Sequence, residues 1–518
     1  KPLETGIGQR HSLTAELGSE DLRILTNISV NDVKGVMKGS ERKNLAGNFT
    51  TFYRVKNLSF RNLTSVTSNN SKDSPYGNFS EYVKMNPYWR AENIDGSIPF
   101  YAEINPDGTR YTNPLYNAGL NSKFESGYFN FINNFYLEWK ITPELMATTR
   151  VGIDVKYSDA DEFLPANHTS FDSFIGEENS KRKGSYQVNN GKSNFFSGDL
   201  NVNYNKQIDK HTIFSNLGFN ISENTYSEFI HIAEGFPSNQ QSNIIFAKDY
   251  ALGTRPVGIE GVSRDIGFLA VGSYVYDNRF LSDITLRTSA SSQFGNENRW
   301  AKFWSVGLGW NLHNEKFLSN TFDQFRIRGS VGSTGNQNFN SNESIATYSY
   351  YLESLYQGFT GSFIQNLANS ALQWETKLDY NIGLDTKFKN LSVQFDYYES
   401  YTENLITDIT VPTSTGFNRV KENLGKVKNS GIEANLSYLA WSKNNNFLSF
   451  NFGLATNKNE IIELSDALRS FNEAADQRAA DRGNSKPVAR YEDGMSLNTI
   501  WAVRSLGIDP ATGNEIYL

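Results

Sequence analysis

The residues of this chain that could do chemistry are few and scattered. Five histidines, His11, His168, His211, His231 and His313, lack the close spacing of a metal-ligand set. The chain has no cysteine, which removes disulfides, thiolate metal sites and a cysteine nucleophile together. SDADEF (158–163) gathers Asp159, Asp161 and Glu162, but without the glycine and distal glutamate of a calcium loop it reads as a solvated loop. GSVGSTG (329–335) superficially resembles a phosphate cradle, yet lacks the GK[ST] ending and a following helix. Its glycines read instead as places where a strand bends. No nucleophile elbow and no distinctive carboxylate pair occurs, so the sequence does not point to an enzyme.

What remains is binding. TYSYYLESLYQGF (347–359) concentrates Tyr348, Tyr350, Tyr351, Tyr356 and Phe359 in one polar excursion. Aromatic faces stack on sugar rings or peptide side chains while the hydroxyls hydrogen-bond. The plainer reading, which the residues favour, is that the same rings pack the loop against its neighbours or a partner protein. The four tyrosines are the candidate substrate contacts; no metal or cofactor site is expected.

The elements that must position such residues are strands. FWSVGLGWNL (303–312) alternates Trp304, Val306, Leu308, Trp310 and Leu312 with Ser305, Gly307, Gly309 and Asn311. A period of two puts the two sets on opposite sides of a sheet. The pattern recurs in LRILTNISVN, FSGDLNVNY, FLSDITLRTS and KLDYNIGLDTKF, and helical periodicity is nearly absent. Tight turns fall at Asp277–Arg279, Lys389-Asn390, Ser442–Asn446 and Thr142–Glu144. They alternate with long polar excursions near 67–127, 156–194, 222–266, 333–376, 402–429 and 457–496. That alternation describes an up-and-down meander of about 17 strands, too many for an open twisted sheet of ~10.

Composition agrees. The chain has 518 residues, 38% hydrophobic and 14% aromatic, with mean hydropathy -0.52. No apolar run reaches the ~18 residues of a spanning helix, but a transmembrane barrel has none either. The predicted fold is all-β, an antiparallel up-and-down transmembrane β-barrel. Val306 and Leu308 then face lipid, with Trp304 and Trp310 near the interfacial girdles. A soluble array of sheets or a propeller is the alternative, in which the same faces are core. Net charge -7 and pI near 5.5 argue against a nucleic-acid partner. The N-terminal KPLETGIGQRH lacks the apolar region of a signal peptide.

Seven stretches, in order from 297 to 518, carry a family likeness: ENRWAKFWSVGLGWNLHNEKFL, RIRGSVGSTGNQ, LQWETKLDYNIGLDTKF, YYESYTENLI, NLGKVKNSGIEANLSY, FNFGLATNKNEIIEL and GIDPATGNEIYL. VKGVMKGSER (33–42) looks like the loop after an early barrel strand. The chain thus resembles the SusC/RagA-type TonB-dependent outer-membrane transporters. The resemblance implies a 22-strand barrel with short periplasmic turns and long extracellular loops. Residues 1–518 are then a partial barrel domain, since nothing resembles the plug domain, the TonB box or the closing strands. It also implies import of oligomeric nutrients, mostly glycan oligosaccharides with peptides as a minority, across the bacterial outer membrane. The implied partners are a SusD-like lipoprotein, outer-membrane lipid, and TonB–ExbB–ExbD acting through the plug; a dimer of SusC–SusD pairs is one assembly it allows. A siderophore or cobalamin receptor is a variant of this reading. A passive porin or a barrel-anchored adhesin is the alternative from a different class.

Overall fold

The computed structural model describes all residues except 253, 295–297, 319–320, 337–345, 367–373, 411–418, 445, 465, 481–489, 503 and 518. At 351–356, 365–366, 406–410, 419–424, 466–467, 474, 478–479 and 517 it describes the backbone alone. The chain divides into two compact units. The first comprises Lys1–Lys140, Thr148–Asp199 and Ser222–Val262; the second, Ile141–Ala147, Leu200–Ile221 and Ser263–Leu518. Among the described residues eighteen strands belong to one sheet, and every described pairing is antiparallel.

The first unit opens with β1 (Ile7–Gly18), β2 (Leu22–Lys34), β3 (Glu41–Val55) and β4 (Leu58–Lys72), joined as successive hairpins. A long excursion follows, with α1 (Phe79–Val83), β5 (Tyr101–Ile104), β6 (Arg110–Thr112) and α2 (Pro114–Ala118), before β7 (Lys123–Lys140) returns to pair with β4. Further along come β8 (Leu145–Leu164), α3 (Glu177–Ser180), β9 (Ser185–Ile208), β10 (His211–Glu234) and β11 (Asp249–Tyr250). Leu22, Ile24, Ile28 and Val30 of β2 share one face with Phe49 and Tyr53 of β3, Phe60 and Val66 of β4, and Phe129, Phe131, Phe135 and Trp139 of β7. Three polar residues on that face close on themselves. Asn133 donates to Thr64 Oγ1 at 2.8 Å, and the Asn62 and Asn133 amides exchange bonds of 3.1 and 3.2 Å.

The second unit carries β12 (Val257–Tyr276), β13 (Phe280–Ser291), β14 (Trp300–Asn311) and β15 (Gln324–Asn336). It continues with β16 (Thr347–Tyr356), β17 (Phe359–Asn366), β18 (Glu375–Phe388), β19 (Leu391–Thr410), β20 (Arg419–Lys443), β21 (Asn446–Ala455) and β22 (Lys458–Glu463), then α4 (Asp466–Ala479), β23 (Ser505–Ile508) and β24 (Glu515–Tyr517). β12 to β15 pair in sequence, β15 pairs β18 across the inserted β16–β17 hairpin, and β18 to β20 continue the meander. β21 and β22 lie end to end along β20. Gly431 faces the break between them, where a Cβ would stand 2.0 Å from the Thr456 carbonyl oxygen. The hairpin between β12 and β13 turns through Asp277 and Asn278, with φ of 54° and 53°. Asp and Asn tolerate that left-handed conformation best after glycine, and two such residues make the turn that suits strand twist.

The faces fall where the alternation puts them. Trp304, Val306, Leu308 and Trp310 of β14 line up with Leu286, Ile284, Ser282 and Phe280 of β13. Leu308 is 64% exposed and Ile382 63%, so this face packs on no protein core. A soluble protein of this length would bury most such side chains. Among the described residues the fully buried apolar side chains are a short set, such as Phe163 near the end of β8, Phe294 after β13 and Ile461 on β22.

Four details differ from the sequence reading. Strands run beyond the expected loop boundaries: β19 and β20 stay paired out to Thr410↔Arg419, within the excursion placed at 402–429. SDADEF is the end of β8, not a loop; Asp161 accepts a 2.7 Å bond from Lys123, and Phe163 is core. GSVGSTG holds an unbroken register with β18. Gly335 is there to admit the Phe303 ring, which lies 2.3 Å from where its Cβ would be. The excursion at 457–496 contains α4, whose Leu468 packs with Leu405, Leu464 and Tyr491.

Candidate functional site

The polar face of the second unit is a wall of paired charges. Arg328 on β15 donates to Asp396 on β19 at 2.7 Å, and to Asp385 and Asn381 on β18 at 3.2 Å each. Arg326 reaches the same Asp385 at 3.3 Å. Gly383 makes this possible, since a Cβ there would sit 2.5 Å from the Arg328 guanidinium carbon. The cation is thus locked across three strands and neutralised where it stands.

Higher on the same unit, toward the 337–374 excursion, a recess of about 380 Å³ has an aromatic side. Trp374 stacks on Phe294 at 4.3 Å and meets the Phe303 ring edge-on at 5.7 Å. Its Nε1–H donates to the Arg299 carbonyl at 3.2 Å, which fixes the ring plane. Arg287, Asp265 and Asn220 form the polar side. This grouping escaped the sequence reading because its members come from five separate segments; only the aromatic content was visible.

Of the four candidate tyrosines, Tyr348 and Tyr350 are 61% and 63% exposed on β16, paired opposite Ile364 and Ser362. Being two residues apart, they share one side of the hairpin. Tyr351 and Tyr356 pair through their backbones with Gly361 and Phe359; their side chains lie outside the described residues. The segment expected as loop is therefore a strand hairpin that presents at least two tyrosines to solvent.

The loops of the first unit are different. Asn117 donates to Thr169 Oγ1 at 2.7 Å and accepts from the Thr169 N–H at 3.1 Å, tying the 73–122 excursion to the one after β8. Asn121 donates to the Gln240 carbonyl at 3.1 Å, and the Asn167 N–H reaches the Asn239 side chain at 3.3 Å. Beneath them Phe163, Tyr186 and Phe236 form a buried aromatic cluster, and Arg182 grips Glu234 through two bonds of 2.5 and 3.1 Å. Tyr101 donates to Asp172, whose bond raises the phenol pKa. His168 accepts the Ser170 N–H on Nδ1 at 3.2 Å, and burial pushes its pKa down to about 4. Tyr88 and Ile94 crown this layer, 91% and 97% exposed. Among the described residues no group of three or more His, Cys, Asp or Glu is placed to hold a metal ion.

The comparisons with known proteins address this architecture directly. The family model "TonB dependent receptor-like, beta-barrel" matches residues 52–498. The TonB-dependent receptor P39 of Formosa agariphila is 25% identical over 98% of this chain and 46% of its own length. The TonB-dependent receptor SusC of Bacteroides thetaiotaomicron is 28% identical over 45% of this chain and 24% of its own. This chain thus spans less than half of those relatives. The solved RagAB peptide transporter superposes with a TM-score of 0.80 over 99% of this chain and 56% of that one, at 20% identity, which establishes the fold. TonB-dependent receptors are transporters of the outer membrane rather than enzymes. With more than four-fifths of its residues under the family model, this chain belongs to the TonB-dependent receptor β-barrel family.

Proposed function

We propose that this chain forms most of the barrel of an outer-membrane importer of oligomeric nutrients, with glycan oligosaccharides as the substrate class. The observation that carries the reading is the contrast between the two faces of the meander. In the second unit one face is an exposed apolar band edged by Trp304 and Trp310, and the other is charged and internally paired. Lipid suits the first and an aqueous lumen the second. In this reading a plug and TonB box elsewhere in the polypeptide couple the barrel to TonB–ExbB–ExbD, and a SusD-like lipoprotein covers the extracellular loops. The exposed Tyr88 and Ile94 on the first unit's loop layer, and Tyr348 and Tyr350 on the hairpin, are the contacts proposed for lid and substrate. The name of the RagAB relative describes a peptide transporter, which supports a peptide cargo as the second reading.

Affinity purification of the full-length protein from its native outer membrane tests this. A stoichiometric SusD-like lipoprotein and TonB-dependent uptake of oligosaccharides are expected. A barrel recovered alone that passes solutes without TonB would replace the importer with a passive porin. The assignment of faces has its own test. Val306→Arg is expected to cost ~2–4 kcal/mol of barrel stability and Ser305→Arg far less. Equal losses at the two positions would reverse or abolish the assignment.

A further inference from the structure

A hairpin closes with ~2–5 loop residues, as the turns at 277–279 and 389–390 of the second unit do. The connection from β14 to β15 on the same side, 312–323, is far longer, and it is built rather than slack. It leaves β14 through a 3₁₀ turn, Leu312–Asn314. The Asn278 carbonyl accepts the Asn311 amide at 2.7 Å and the Asn314 amide at 2.8 Å, which pins the segment to the neighbouring turn. Glu315 is buried and accepts from Arg279 Nε and Nη2 at 2.8 Å each and from Trp310 Nε1 at 3.0 Å. At the far end the Phe322 ring packs 5.0 Å from Phe325 and 5.6 Å from Phe388.

These contacts fix the side of the wall on which the segment lies. Trp310 pairs with Phe280 and Ile327, and Ile327 with Leu384, all on the exposed apolar face. Phe325 and Phe388 stand an even number of residues from Ile327 and Leu384 on their strands, so they share that face. The Arg279 guanidinium lies 5.3 Å from the Phe280 ring centre, on the same side. The segment therefore folds outward along the edge of the apolar band and away from the lumen. β14 and β15 have their neighbours β13 and β18 in place, so the wall is complete here. Between the two fixed ends Phe317 is 69% exposed, flanked by exposed Lys316 and half-buried Leu318.

We propose that the 312–323 segment is an interfacial anchor whose Phe317 and Leu318 enter the inner leaflet of the outer membrane, among phospholipid headgroups and the first acyl carbons. The anchor rests on the lipid assignment of the apolar band. Three features select a lipid surface as the occupant. The segment continues the band past Trp310, at the level where aromatic rings meet both acyl chain and headgroup. A phenylalanine beside a lysine suits a boundary that is apolar on one side and wet on the other. The bidentate Arg279–Glu315 pair and the Asn278 carbonyl hold the turn's shape, which leaves the Phe317 ring out of the protein's own packing.

The test is spin labelling of the full-length protein in vesicles of phosphatidylethanolamine and phosphatidylglycerol. A nitroxide is placed on Phe317→Cys, Leu308→Cys or Asn390→Cys in an otherwise cysteine-free background, and heat-modifiability on gels confirms that each variant folds. Collisions with oxygen, which concentrates among acyl chains, are compared with collisions with a water-soluble nickel chelate. The label at 308 should be rich in oxygen and poor in nickel, and the label in the short turn at 390 the reverse. At 317 the oxygen-to-nickel ratio is expected several-fold above that at 390 and below that at 308. A ratio at 317 equal to that at 390, with 308 still in lipid, would overturn the anchor and leave the assignment of faces standing. Aqueous labels at both 317 and 308 would overturn both. A label at 317 shielded from both reagents would mean that protein covers the site, another part of the polypeptide or a periplasmic partner, and the anchor would fall.

Discussion

In the first unit, Asn113, Asn117 and Asn121 turn their amides onto groups of neighbouring segments, and Phe163, Tyr186 and Phe236 fill the space below. In the second, Tyr348 and Tyr350 stand off the β16–β17 hairpin into solvent. Both regions are polar insertions between sheet strands. The difference lies in what their side chains do. An asparagine that both donates and accepts substitutes for a missing strand neighbour and fixes one loop against another. A tyrosine exposed on a two-stranded ribbon fixes nothing, because an isolated hairpin is marginal in water. One loop region is therefore built as a platform and the other as a reach.

The largest expected effect sharpens that contrast from below. Phe163→Ala removes the ring that meets both Tyr186 and Phe236 at 5.8 and 5.1 Å, and should cost ~3–5 kcal/mol of local stability. Hydrogen exchange should then accelerate through 165–184 and 235–256 while the β16–β17 amides keep their native rates. Acceleration in the hairpin as well would mean the two regions are not independent. Next in size is Asn113→Ala. The buried amide donates to the Ala91 carbonyl at 2.9 Å and accepts the Leu115 N–H at 3.1 Å, capping α2. Its loss leaves both main-chain groups without that partner and should cost ~1–3 kcal/mol, read as earlier proteolysis within 86–120.

A milder perturbation uses pH. His168 has a folded pKa of about 4, lowered by burial, against an unfolded value near ~6.5. The unfolded loop binds the proton more readily, so the stabilisation is complete above about pH 6.5 and is lost as pH falls toward 4. A protonated Nδ1 also cannot accept the Ser170 N–H. Amide protection at 165–184 should therefore decline on acidification, after correction for intrinsic exchange, and His168→Gln should flatten the profile. A flat profile in the native protein would remove the histidine from the platform's stability.

The same two regions show what was legible in the sequence. The faces of β14 and β18 were, because large apolar residues alternate there without interruption and a one-residue slip would invert them. The tight turns were also legible, since Asp277-Asn278 is a pair suited to a left-handed hairpin. Strand ends were not: β9 begins SYQVNNGKSN, where polar residues occupy both faces and no period survives. α4 was hidden because its apolar positions, Leu468, Phe471 and Ala475, make a single short stripe inside a polar run. The platform was the least visible, for its bonds join residues 52 and 119 positions apart. The four tyrosines could be picked out by composition, but not that two of them share a hairpin side.

The smallest expected effect on stability falls on the hairpin and carries the most functional content. Tyr348→Ala combined with Tyr350→Ala removes two exposed rings that support no core, so stability should change by less than ~0.5 kcal/mol. If the rings stack on substrate, each contributes ~0.5–1.5 kcal/mol, and the pair should weaken oligosaccharide capture by roughly 5- to 100-fold. If they instead meet the lid protein, capture of free substrate stays constant and co-purification of the lipoprotein falls. Measuring both quantities on the one variant separates the readings. A loss of stability with neither effect would return the tyrosines to ordinary packing, and the hairpin would then be a platform of the same kind as the first unit's loops.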